Sequence, residues 1–122
     1  MDNVLVLAYL GDAIYEVYIR KFFINKNIVK VDKLQKESVK YVSAKSQRVF
    51  LEKLINDNFF TIEELELIKR SRNHKGNRHP KNTDIITYKY ATAFETIIGY
   101  LYLNNKNKLE KLMEYIYSQS NN

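Results

Sequence analysis

The sequence predicts an all-α helical bundle, and three observations carry that reading. Apolar residues recur at helical spacing along most of the chain. Residues suited to capping helix N-termini stand ahead of several of these runs. No stretch alternates apolar and polar residues with the period of two that a half-buried strand requires.

Taken in order, the first helix spans Val4 to Ile24, with Asn25-Lys26-Asn27 as its stop. A shorter helix covers Asp32 to Tyr41. Ser43 is placed to cap a third, which runs through Val49, Phe50, Leu54 and Ile55 to about Asp57. Thr61-Ile62-Glu63-Glu64 has the spacing of a capping box and opens a fourth helix lasting to about Arg70. Ser71 to Asn82 reads as a loop, because it holds Gly76, Asn73, Asn77, Asn82 and Pro80, the only proline. Asn82 or Thr83 then caps a long apolar helix from Asp84 to about Leu103. A last amphipathic helix covers Lys108 to Tyr117, and Ser118 to Asn122 reads as a frayed end. Residues 1–122 are expected to form a single domain around one core, and no stretch reads as an appended RNA-binding module.

Composition removes several classes of function. With no cysteine, the chain has no disulfide scaffold, no thiolate zinc site and no cysteine nucleophile. No apolar run approaches the roughly 20 residues that span a bilayer, so no membrane partner is expected. The start of the chain does not look like a signal peptide, and a cytoplasmic location is the expectation.

Charge is concentrated rather than spread. Between Lys69 and Lys81 lie Lys69, Arg70, Arg72, Lys75, Arg78 and Lys81, with no acid among them. The other 14 of the 20 basic residues balance the 14 acids, so this segment holds the entire net charge of +6. Such a cluster suits a phosphate clamp, with arginine able to grip a phosphate through two N–H groups. The bland alternative is a solvated surface loop. Lys45 and Arg48, near the start of the third helix, would extend the positive surface. His74 and His79, the only histidines, sit in the same segment without further local ligands and read as surface or RNA-contacting residues.

The features that point to chemistry are two lone carboxylates in apolar helical runs. Asp12 follows Gly11 in Leu7-Ala8-Tyr9-Leu10-Gly11-Asp12-Ala13-Ile14-Tyr15. Glu95 stands four residues before Gly99 in Phe94-Glu95-Thr96-Ile97-Ile98-Gly99-Tyr100. A buried carboxylate is costly unless paired, hydrogen-bonded or bound to a metal. A glycine inside a helix costs about 1 kcal/mol relative to alanine, and close approach of two backbones at a helix crossing would account for it. Together these features suggest crossing helices whose acids meet as a Mg²⁺ site, since Mg²⁺ prefers carboxylate and water ligands. The alternative is a pair of half-exposed acids satisfied by Lys, Arg or tyrosine hydroxyls. Glu16, one turn beyond Asp12, is better explained as the i,i+4 partner of Arg20. The tyrosines of these two helices read mostly as core or interface residues, and Phe22-Phe23 or Phe59-Phe60, if exposed, would mark a partner surface.

The first of these runs, with Glu16 added, resembles the signature helix of the ribonuclease III fold. The second resembles the helix that carries that fold's other catalytic carboxylate. Val42-Ser43-Ala44-Lys45-Ser46-Gln47 between them, and Arg72-Asn73 through Pro80-Lys81-Asn82-Thr83-Asp84 before the second, are similar to the compact bacterial branch called mini-ribonuclease III. That resemblance implies an all-α ribonuclease III endonuclease domain that works as a homodimer and cuts double-stranded RNA with Mg²⁺. It implies 5′-phosphate and 3′-hydroxyl ends, Asp12 and Glu95 as catalytic and metal-binding acids, and precursor 23S ribosomal RNA as substrate. A ribosomal protein or pre-ribosomal particle could be a further partner. Lys45, Arg48, Arg70, Arg72, Lys75, Arg78 and Lys81 are the expected RNA contacts. Larger ribonuclease III enzymes carry two further acids where this chain has Ala8 and Thr92, which puts a two-metal arrangement in doubt. The alternatives are an inactive module of this fold that binds structured RNA, and a helix-turn-helix DNA-binding regulator.

Overall fold

Five of the six helices among the described residues begin where a side chain satisfies amides that the helix itself leaves unpaired. The computed structural model describes residues 3–75 and 84–119. Within them lie α1 (Val4–Ile24), α2 (Val31–Val42), α3 (Ala44–Asn56), α4 (Ile62–Arg72), α5 (Ile85–Asn104) and α6 (Lys106–Ser118), and no strand. Asn3 accepts from the Leu5 and Val6 amides at 3.1 and 3.3 Å, and Ser43 from the Ser46 amide at 3.2 Å. The capping box on α4 closes in both directions, Glu64 N–H to Thr61 Oγ1 at 3.1 Å and Thr61 N–H to Glu64 Oε1 at 2.9 Å. Asn105 caps α6 by accepting from the Lys108 amide at 3.1 Å.

Helix α2 extends one residue beyond its expected bounds at each end, and α6 includes Ser118. Three further boundaries differ from those read in the sequence, each for a physical reason. The cap of α5 is Asp84, not Asn82 or Thr83: its carboxylate accepts from the Thr87 amide at 2.8 Å and puts negative charge at the helix N-terminus. Helix α4 runs on through Ser71 and Arg72, which the loop reading had included. Ser71 is fully buried and its hydroxyl meets Thr96 Oγ1 at 2.9 Å, so tertiary packing holds the last turn. Helix α6 starts at Lys106, two residues early, because Asn105 supplies the cap. The rest of the expected loop, from Gly76 to Thr83, lies outside the described residues, as do Ser120 to Asn122.

Helix α5 is the centre of the bundle and packs against α1, α3, α4 and α6. Its Ala93, Phe94, Ile97, Ile98 and Leu101 are inaccessible to solvent. Around them sit Tyr15 and Ile19 of α1, Leu51 and Leu54 of α3, Ile68 of α4, and Leu109, Leu112 and Ile116 of α6. The Tyr15 ring meets Phe94 edge-on at 5.0 Å, and its hydroxyl donates to the Tyr41 carbonyl at 2.9 Å, tying α2 to this core. Lys108 Nζ reaches the buried Glu64 carboxylate at 2.5 Å, so the capping residue of α4 also anchors α6. Phe23 and Phe60 are buried, while Phe22 and Phe59 pack against the core; Phe22 stacks on Tyr117 at 4.2 Å. Neither phenylalanine pair is exposed, so the condition for reading them as a partner surface is not met. Exposed apolar side chains occur on several helices, among them Val6, Tyr9 and Val17 of α1, Val31 and Val39 of α2, Ile62 of α4 and Leu103 of α5, and Tyr9 at 84% exposed is not a core residue.

At the crossing of α1 and α5 the two backbones come into direct contact. A Cβ added to Gly11 would stand 1.8 Å from the Glu95 carbonyl oxygen, and one added to Gly99 would stand 2.1 Å from that of Leu7. Both obstacles are backbone and cannot rotate aside. Thr96 donates to the Val4 carbonyl at 3.0 Å, so the hydroxyl of Ser71 donates in turn to Thr96. Val4, Leu7, Gly11 and Tyr15 of α1 each meet a residue between 94 and 99 of α5.

Gly11→Ala or Gly99→Ala is expected to destabilise the fold by about 3 kcal/mol or more, the upper range for overpacking. That corresponds to a Tm lower by on the order of 10 °C, read by thermal unfolding. A Tm within about 2 °C of the parent for either variant would mean the crossing relaxes freely.

Candidate active site

The glycine contact decides where the two acids go. Asp12 follows Gly11 directly, and Glu95 supplies the carbonyl against which Gly11 packs, so both carboxylates are attached at the crossing. Asp12 is exposed and Glu95 is half-buried. The Glu95 carboxyl is pushed up to about 8 from its ordinary 4.5. Burial is the largest cause, followed by the Asp12 charge and a hydrogen bond shared with the Asp12 carboxyl. Glu16 adds a small push in the same direction, but its own carboxylate pairs with Arg20 Nε at 3.2 Å, as its spacing suggested.

One member of this site was missed in the sequence as a candidate. Gln47 of α3 is 3% exposed and stands on the core-facing side with Phe50, Leu51 and Leu54. Its Nε2 donates to the Val42 carbonyl at 3.2 Å and lies 3.5 Å from Glu95 Oε2, which draws the Glu95 carboxyl back toward ionisation. Its Oε1 is buried without a partner among the described residues, a cost of about 1–3 kcal/mol. The available signal was a polar residue on an otherwise apolar helix face.

A divalent cation between Asp12 and Glu95 would relieve the repulsion that raises Glu95, so the donor chemistry fits Mg²⁺. Among the described residues no group of three or more His, Asp or Glu converges. Two carboxylates suit an ion that keeps several waters. Ala8 and Thr92 are both buried, and the Thr92 hydroxyl is committed to the Tyr88 carbonyl at 3.0 Å. Neither position adds a ligand.

The basic residues fall into two groups. Lys69 and Arg70 are exposed in the last turn of α4, Lys75 is exposed three residues beyond it, and Lys45 is exposed at the start of α3. Arg48 and Arg72 are half-buried, and each guanidinium lies 5.0 Å from the Tyr90 ring. Arg48 also donates to Thr87 Oγ1 at 2.9 Å and pairs with Glu52 at 3.5 Å. Lys45, Arg48, Asp84 and Thr87 line a hollow of about 600 Å³ on the neighbouring face of α3. Arg78, His79 and Lys81 lie outside the described residues. No helix among those described is long and apolar enough to cross a membrane.

The family profile described as "Ribonuclease III domain" matches residues 5–106, most of the chain. This chain belongs to the ribonuclease III family. It is 45% identical over 115 residues to "Mini-ribonuclease 3" of Staphylococcus aureus (strain NCTC 8325 / PS 47), covering 93% of this chain and 86% of that one. It is 46% identical over 116 residues to the protein of the same name from Brevibacillus brevis (strain 47 / JCM 6285 / NBRC 100599), covering 95% and 84%. A crystal structure of a Fusobacterium nucleatum protein superimposes with a TM-score of 0.85 at 34% identity, covering 97% of this chain and 93% of that one. The ribonuclease III membership makes the chain an endoribonuclease, and the helix-turn-helix alternative falls away.

The raised Glu95 carboxyl links this endoribonuclease's stability to pH. In the metal-free protein Glu95 holds its proton more tightly folded than unfolded, so its contribution is present below about 4.5 and lost as pH rises through about 8. In EDTA, the Tm of the parent is expected to fall across this window more steeply than that of Glu95→Gln. Parallel Tm–pH curves would show that Glu95 titrates normally.

Proposed function

We propose that this endoribonuclease cleaves double-stranded RNA with Mg²⁺, leaving 5′-phosphate and 3′-hydroxyl ends, and matures precursor 23S ribosomal RNA in the cytoplasm. The observation that carries the proposal is the convergence of Asp12 and Glu95 at the Gly11–Gly99 crossing. A bound Mg²⁺ supplies a more acidic water and stabilises charge on a phosphoryl oxygen. Asp12 presents its carboxylate at the surface, where an RNA phosphate can approach, while Glu95 holds the inner side of the site. Similarity to proteins named "Mini-ribonuclease 3" supports the endoribonuclease reading. The ribosomal RNA substrate, with a ribosomal protein or pre-ribosomal particle as a further partner, is what the sequence resemblance to that branch implies.

Residues 1–122 act as one catalytic domain, with Lys45, Arg48, Arg70, Arg72, Lys75, Arg78 and Lys81 contacting RNA. Duplex RNA is recognised by shape, phosphates and 2′-hydroxyls, a task suited to a basic surface beside a carboxylate pair. The working unit is a homodimer in which each copy cuts one strand. Its support is the exposed stripe of Val6, Tyr9, Ala13 and Val17, at helical spacing on α1 and alongside Asp12. An inactive RNA-binding module is disfavoured because both acids are present and adjacent.

End-labelled duplex RNA, including precursor ribosomal RNA, should be cut with Mg²⁺ and left intact in EDTA. Asp12→Asn should lower the rate by more than the roughly 100-fold that loss of an outer-shell partner costs. Binding without cutting by the parent protein would favour the inactive module. Replacing Lys75, Arg78 and Lys81 together by alanine should make the slope of log binding constant against log salt shallower, by about one for each phosphate no longer neutralised. An unchanged slope would remove these side chains from the interface.

A further inference from the structure

We propose that Gln47 is a positioning residue for Glu95 and that its side-chain amide belongs to the outer shell of the metal site. The inference rests on the reading of Asp12 and Glu95 as Mg²⁺ ligands. Gln47 stands one turn before Phe50 and Leu51 on the face of α3 that packs against α5, and it is 3% exposed. The Val42 carbonyl orients the amide, because only the NH₂ end can donate to it, at 3.2 Å. Val42 is the last residue of α2, where carbonyls lack helical partners, so this bond ties the amide to the end of a second helix.

The second hydrogen of the same NH₂ group is available to Glu95 Oε2, 3.5 Å away. That separation is long, as catalytic hydrogen bonds commonly are before a ligand draws the site together. The link runs from the end of α2 through α3 to the carboxylate on α5. Oε1 is left buried with no partner among the described residues, and it can only accept. An acceptor beside a carboxylate ligand is matched to the waters that Mg²⁺ retains. Closing the end of α2 explains the donor of Gln47 but not its oxygen. A methionine would fill similar volume without burying an unpaired acceptor.

The test is a Mg²⁺ titration of the full chain without RNA, followed by ¹H–¹⁵N NMR and run in parallel with Asp12→Asn. The Gln47 side-chain NH₂ signals of the parent should move with the same midpoint as the backbone amides of Asp12 and Glu95, and should stay still in Asp12→Asn. If Asp12 and Glu95 respond while Gln47 does not, this inference is overturned and the metal site stands. If none responds, both fall. In Gln47→Met, Mn²⁺ binding measured by electron paramagnetic resonance should weaken about 10-fold. The kcat on duplex RNA should drop about 10-fold to 100-fold, with KM within about twofold of the parent. Parent-like Mn²⁺ affinity in folded Gln47→Met would reduce Gln47 to a helix-end cap. Should that variant not fold, the NMR result on the parent decides.

Discussion

The backbone contact between α1 and α5 is the constraint on which the rest of the structure depends. Gly11 and Gly99 remove the two side chains that would hold these helices apart, and each then meets a carbonyl of the opposite helix. Every functional statement about Asp12 and Glu95 follows from that approach, because both residues are attached at the point of contact. Neighbouring interactions act on the same short stretch of α5: Phe94 against Tyr15, and Thr96 between Ser71 and the Val4 carbonyl. The crossing is thus fixed by contacts from α1 and α4 together. Changing the spacing of the two backbone positions that carry the acids requires moving main chain against main chain.

Against this rigid frame the carboxylate pair is an internal conflict. Folding brings two acids together in partly dehydrated surroundings and leaves Glu95 with its proton held up to about 8. Glu64 is also buried and acidic, yet Lys108 answers its charge at 2.5 Å and the Thr61 amide donates to it. Glu95 instead faces the carboxyl of Asp12 and the long contact from Gln47. The contrast separates a carboxylate that serves the fold from one held in a state that costs the fold something, and the latter are concentrated at functional sites.

Much of this was legible in the sequence because its causes are local. Ser43, Thr61 and Glu64 act within three residues of themselves, and their caps lie where the spacing puts them. The two glycines were legible for another reason: each is unfavourable in an isolated helix, so each implied a partner. What could not be read depends on elements distant in sequence. The continuation of α4 through Ser71 needs Thr96 on α5, and the partial burial of Phe22 needs Tyr117 on α6. Gln47 carries no spacing rule that sets it apart from any polar residue near a helix start. Its importance emerges only when α3 lies against α5 and the amide finds Val42 and Glu95 together.

Tyr90 adds a consequence for molecular encounter. Arg48 comes from α3 and Arg72 from α4, yet both guanidiniums are held about the one ring of α5. A long, flexible side chain immobilised by a partner gives up on the order of 1 kcal/mol of rotamer freedom. Here part of that freedom is already lost when the chain folds. An anion reaching this face meets two charges whose separation is set in advance, and association there carries a smaller entropic penalty than it would on free lysines.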